Sequence, residues 1–246
     1  MRALDHRSAT GGRRRPHHQH FWLTPHTAIM ETRKNLVIVG AGDLGREVLV
    51  WAEQAIAAGT PWRIKGFLDS RQHILGPYDC GAPLLDSPEE YRPDSDDVFL
   101  CAMGDPASKR KYAALTEAKG AVFATLIHPT ALVGTRVEIG AGSIVCPFTQ
   151  LSCDIRIGRH VMVGTHSSVA HNTEVGDFSQ ISGGCQLNGH VSVAENVFLG
   201  SSATLLPKCR VGEGAYVGAG SVVLRRVKAR TKVFGNPALA FGEVEA

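Results

Sequence analysis

The stretch IGRHVMVGTHSSVAHNTEVGDFSQISGGCQL, residues 157 to 187, carries a branched aliphatic at every sixth place. Ile157, Val163, Val169, Val175, Ile181 and Leu187 hold that spacing without a slip, and followed outward the phase runs from Ile127 to Val223. Four residues after each aliphatic stands a small or β-branched residue, such as Val161, Ser167, Thr173, Ser179 and Cys185. An α-helix repeats every 3.6 residues and a half-buried strand every two, so neither keeps a six-residue phase. Short strands joined by tight turns do. With three hexads to a coil, residues 18 apart stack, and the two inward positions of each hexad fill a triangular prism. A glycine often follows the aliphatic, as at Gly134, Gly140, Gly158, Gly164, Gly176, Gly200, Gly212 and Gly218, where a corner needs room.

Upstream the pattern changes. NLVIVGAGDLGREVLVWAEQAIAAG, from Asn35, reads as a buried strand, a glycine turn and a helix with Leu44, Val48, Leu49, Ala52 and Ile56 on its inner side. Gly40, Gly42 and Gly45 form G-x-G-x-x-G between strand and helix, where backbone N–H groups and the helix dipole can meet a phosphate. The strand RIKGFLD ends in Asp69, about where a βαβ unit presents a carboxylate to a ribose. DVFLCAMGD and AVFATLIH supply a third and a fourth strand around the helical PASKRKYAALTEAKG. This is one mononucleotide half, too little for a full dinucleotide fold, so a mononucleotide-bearing ligand is expected rather than NAD.

The net charge is +3, but residues 1 to 34 hold seven Arg or Lys against two Asp or Glu, which leaves the body at −2. Nucleic-acid binding loses its electrostatic argument. The leader also carries five histidines without a zinc-ligand framework, lacks periodicity, and is expected to be disordered or a misassigned start. The six cysteines include no CxxC pair, which fits a reducing cytoplasm. No apolar run reaches the roughly 18 residues needed for a membrane span.

The hexads, together with VGEGAYVGAGSVV and the closing VFGNPA, resemble the left-handed parallel β-helix of the hexapeptide-repeat acyltransferases. Joined to a glycine-turn half, they are similar to the nucleotide-sugar N-acetyltransferases and sialic acid O-acetyltransferases of bacterial glycan synthesis. The resemblance implies an α/β Rossmann-like N-terminal domain with a small parallel sheet over 35–126, a left-handed β-helix over 127–238 and a tail over 239–246. It also implies a homotrimer that uses acetyl-CoA as co-substrate. In VAHNTEVGDFSQIS it places the catalytic general base on His171, which the hexad phase puts on the outer surface two residues after Val169. The family's acidic neighbour is absent between Ala170 and Asn172, and Asp154, one coil below Asn172, is the expected orienting group. Contacts to the acetyl carrier fall on Gln180, Ser201 and Ala219. Contacts to the nucleotide-sugar fall on Gly42, Asp43, Leu44, Asp69, Ser70 and Gly104, although Asp43-Leu44 stands where the family often has Gly-His. The basic run LRRVKARTK, residues 224 to 232, could meet the phosphates of coenzyme A or form a solvated end-cap.

Three other readings compete with transfer to an amine. One is O-acetylation of a sialic-acid-type sugar. Another is a zinc site of the gamma carbonic anhydrase kind, suggested by the spacing of His166 and His171, although Thr130 stands where a third ligand is expected and His128 has a different place in the hexad. The third is a non-enzymatic scaffold.

Overall fold

A computed structural model describes residues 33–244. Residues 1–32, nearly all of the expected leader with its five histidines, lie outside the described residues, as do 245–246.

The N-terminal unit is a parallel sheet of β1 (Lys34–Val39), β2 (Trp62–Leu68), β3 (Leu84–Asp86) and β4 (Asp97–Cys101), in the order β3-β2-β1-β4. Helix α1 (Asp43–Ala57) follows β1, and α2 (Pro106–Glu117) follows β4. Alternation sorts the buried β1 strand between two faces. Leu36 and Ile38 pack with Val48, Leu49 and Ala52 of α1, whereas Val37 and Val39 pack with Phe99 and with Ala113 of α2. Helix α2 starts cleanly because Asp105 accepts from the Ser108 N–H at 2.8 Å and Pro106 needs no N–H partner.

Two strands differ from the sequence expectation. β3 was not anticipated, being three residues long among turn-forming residues. The expected fourth strand AVFATLIH contributes a single bridge, Phe99 to Phe123, after which Leu126–Ile127 pairs with Ile144–Val145. Here the chain leaves the open sheet and opens the first coil.

From there the chain forms the left-handed β-helix that the hexads imply, with three parallel sheets along its sides. Strands pair with a register of 18, as in Val163↔Ile181, Val169↔Leu187 and Val175↔Val193. The aliphatics merge into one continuous buried column. Inward hydroxyls join a second ladder: Ser143 Oγ donates to the Gly158 carbonyl at 2.7 Å and accepts from the Val161 N–H at 2.9 Å. Ser167 and Ser179 repeat this arrangement, so these buried polar atoms remain paired.

The glycines after the aliphatics prevent contact between coils: a Cβ on Gly176 would lie 2.6 Å from the Ala194 carbonyl carbon. The left-handed turn itself falls two residues later. Arg136, Phe148, Asp154, His160, His166, Asn172 and Phe178 all have φ between 54° and 61°. Periodicity in side-chain type did not reveal this position, because stacking against neighbouring coils overrides the usual preference for glycine there.

Three further corrections concern the ends of the prism. Ile127 and Val133, assigned to the interior by phase, are 43% and 40% exposed because no coil precedes them. After Val223 the phase slips by two: Val227, expected at the small position, instead pairs as an aliphatic with Val211, and Val233 pairs with Val217, making a coil of 16 residues. The expected tail contains a strand, Leu239–Glu243, which turns back antiparallel on Thr231–Phe234.

The α/β unit covers part of the prism face bearing Ile144, Met162 and Gln180. Ile144, Cys146 and Met162 join the cluster around α1. On the α2 side, Arg110 reaches Glu195 at 2.7 Å and Asn196 at 3.0 Å, and Arg159 pairs with Glu117.

Candidate active site

His171 lies at the corner between strands Ser168–Val169 and Glu174–Val175, with its side chain exposed. The next residue, Asn172, has φ 58°, which brings its amide beside the ring, and Oδ1 lies 2.9 Å from His171 Nδ1. An amide oxygen can only accept. Nδ1 therefore carries the hydrogen in this arrangement, and Nε2 presents its lone pair. Gly189, one coil above, leaves room for the ring, since a Cβ there would stand 2.7 Å from Cε1 and 2.8 Å from Nε2. His190 meets the imidazole edge-on, with centroids 5.2 Å apart at 87°.

Asp154 does not take the orienting position expected of it. Its two oxygens accept from the Arg136 guanidinium, with the longer contact at 2.9 Å, and the Arg136 bond holds the carboxyl below the usual carboxylate range. Asn172 occupies Nδ1 instead. Backbone geometry supplies the contact, and the neighbouring coil does not.

Gln180 also departs from expectation. It is 6% exposed beneath α2, where Oε1 accepts from Lys109 Nζ at 2.9 Å and Nε2 donates to Met162 Sδ at 3.2 Å. The outward side of its strand is covered by the α/β unit, so Gln180 faces no open groove. Ser201 and Ala219 are exposed and stack at the corner after Phe198–Leu199, where the Gly220 N–H donates to the Ser201 carbonyl at 2.8 Å. Gly183 and Gly184 continue this corner one coil below; sequence reasoning passed over them because they interrupt no pattern. His171 and Ser201 thus occupy different corners of one prism. His166 is also on a different corner from His171, stacked on Phe148 with centroids 5.0 Å apart. Among the described residues, no group of three or more His, Cys, Asp or Glu side chains could hold a metal ion.

At the glycine turn, Gly40 has φ 101°, and a Cβ on Gly45 would stand 2.0 Å from the Gly40 carbonyl oxygen. Close helix–strand packing therefore requires that glycine. Asp69 is 7% exposed and was expected to face a ribose. Instead it accepts from the Ala41 N–H at 3.0 Å, from the Arg71 N–H at 3.0 Å, and from Arg71 Nε and Nη2 at 2.9 and 2.8 Å. Burial pushes its carboxyl up, but the Arg71 and Ala41 bonds outweigh this and hold it low. Asp69 thus secures the turn and points Arg71, missed in the sequence, toward Gly42; a Cβ on that glycine would lie 3.5 Å from Nη2. Asp43 is solvent-exposed and pairs with Arg46 at 2.6 Å, Ser70 donates to Glu89 at 3.0 Å, and Gly104 faces Leu44. A separate cavity of about 710 Å³ between α2 and the last coils, bounded by Pro106, Arg110, Phe198 and Tyr216, is lined by Arg230 of the basic run and by none of the other expected site residues.

A hexapeptide prism with an exposed histidine at one corner follows a glycine-turn α/β unit, and both parts have counterparts among known proteins. Residues 190–225 match the bacterial transferase hexapeptide (six repeats), and residues 35–115 match the PglD N-terminal domain. The chain thus carries a PglD-type N-terminal domain followed by hexapeptide repeats of the bacterial transferase kind. It is similar to the acetyltransferase domain of PglB from Neisseria gonorrhoeae, at 29% identity and a TM-score of 0.76 over 85% of this chain and 100% of that one. That domain has also been solved with acetyl coenzyme A. PerB from Caulobacter crescentus, solved with CoA and GDP-perosamine, is 27% identical with a TM-score of 0.74 over 85% of this chain and 97% of its own. The GDP-perosamine N-acetyltransferase of Escherichia coli O157:H7 is 30% identical over 119 residues, 46% of this chain and 54% of that protein. The chain spans from 31% to 54% of the length of the curated relatives it matches.

Proposed function

We propose that the protein transfers the acetyl group of acetyl-CoA to the amino group of a nucleotide-linked amino sugar in bacterial glycan synthesis. The observation that carries this reading is the exposed His171, with Nδ1 held by Asn172 and Nε2 left as the base. Nε2 takes a proton as the amine nitrogen attacks the thioester carbonyl carbon. The tetrahedral intermediate then collapses, the C–S bond breaks, and the imidazolium returns the proton to the departing CoA thiolate. The product is an amide and free CoA. The Gly40–Gly45 turn and Arg71 would hold the diphosphate, while the small residues at the Ser201 and Ala219 corner leave space for the pantetheine arm.

Because His171 and that corner are apart within one chain, the complete site is assembled between copies, as a trimer of prisms would allow. The reading assigns this activity to a reducing cytoplasm, which six free cysteines fit. The test is acetyl transfer to a panel of GDP-, UDP- and dTDP-linked amino sugars alongside the free sugars. Turnover confined to nucleotide conjugates supports the reading. Equal turnover of free hydroxyl sugars would replace it with O-acetylation.

A further inference from the structure

We infer that the C-terminal end of the prism is a docking plate for an anionic phospholipid surface. This rests on charge and exposed apolar area, independently of the proposed reaction.

Charge is distributed unevenly along the chain. Residues 35 to 204 contain 12 Lys or Arg against 18 Asp or Glu, while residues 205 to 244 contain seven against two. Within the first segment more than half of the cations form ion pairs; among the described residues, none of those in the second segment does. Arg210 and Arg226 stand directly opposite each other on adjacent parallel strands, both exposed. Like charges so placed destabilise a sheet unless a counter-anion lies over them. Arg225, Arg226, Lys228 and Arg230 all belong to the last coil, so their positive field is concentrated at one end of the molecule.

The same end exposes apolar side chains. Leu224 is 49% exposed, Phe234 58%, Leu239 68% and Phe241 67%, the last three on the terminal hairpin. Unpaired cations interleaved with exposed Phe and Leu match the headgroup region of an anionic bilayer, where the cations meet phosphates and the rings enter the acyl boundary. A nucleic-acid duplex would use the cations but, with its bases stacked inside, would give the exposed phenylalanines no apolar phase. The acidic middle of the chain would hold the α/β unit away from the lipid. In a parallel trimer, three such ends would face one plane and bind together.

The experiment is co-sedimentation of the full chain with vesicles of phosphatidylcholine alone and of phosphatidylcholine mixed with phosphatidylglycerol. Binding to the mixed vesicles only, weakening as salt rises, is expected. Arg225→Glu with Arg226→Glu should lower partition at least about 10-fold, as four units of charge are changed near the surface. Phe241→Ser should lower it as well. Equal partition onto neutral vesicles, or none onto either, overturns the inference. So does binding that survives the arginine reversal and disappears on removal of residues 1–29, which would assign it to the basic leader. Loss with the arginine pair but no change with Phe241→Ser, together with equal binding to duplex DNA, would make the plate a general polyanion surface and overturn the lipid assignment.

Discussion

A base that is to accept a proton from an amine needs one imidazole nitrogen free and the other fixed. At His171 the partner beside Nδ1 is the next residue in the chain, an amide in a left-handed turn. His171→Ala is therefore expected to lower kcat by about 10² to 10⁴ without dissociating the proposed trimer, measured by CoA release and sedimentation. His166→Ala, on another corner, should leave kcat nearly unchanged. Asn172→Asp places a negative charge against Nδ1, favours the imidazolium, and should move the acidic limb of the pH–rate profile to higher pH. At the other end of the proposed substrate, Asp69→Ala leaves the Ala41 N–H without its partner and frees Arg71, costing about 1–3 kcal/mol of stability. Steady-state kinetics should show KM rising for the nucleotide-sugar far more than for acetyl-CoA.

Helix α2 brings an amine into the contact between the α/β unit and the prism. Burial pushes Lys109 down to about 8, with the nearby Cys101 and Cys146 opposing that shift. The unfolded chain therefore binds more protons than the folded one between about pH 8 and 10.5, and this side chain favours folding increasingly as pH rises through that window. Burial raises the Cys101 thiol to about 12, which works in the opposite direction above its unfolded value. The clean measurement is the Tm difference between the protein and its Lys109→Met variant. That difference should move in favour of the lysine form from pH 7.5 to pH 9.5, corresponding to at most roughly 3 kcal/mol. The same contact marks the limit of the sequence reading. Hexad phase identified the inner face of every coil from Leu151 to Val223, because stacking repeats one packing problem many times. It does not identify which outer face the α/β unit covers, so Gln180, expected at the acetyl carrier, is instead buried. Asp154 failed for a related reason: stacking placed it beside Asn172, but competition from Arg136 depends on side-chain geometry. The Asn172 contact was present in the sequence as a neighbour and became legible only with its positive φ.

At the scale of the molecule, two faces of the proposed chemistry lie on two corners of one prism, and a single copy cannot bring them together. Sedimentation equilibrium should give a trimer, and dilution to monomer should abolish turnover in parallel; an active monomer would sink the shared site. The shape of the last coil has another consequence. A stack of parallel coils ends in unpaired backbone, and a second prism arriving in register could extend it into a fibre. The 16-residue coil breaks the 18-residue register, and on one of the three sides the antiparallel strand Leu239–Glu243 takes the edge that an incoming first coil would need. The protein thus carries its own chain terminator against polymerisation at this end, written as a two-residue deletion in an otherwise regular repeat.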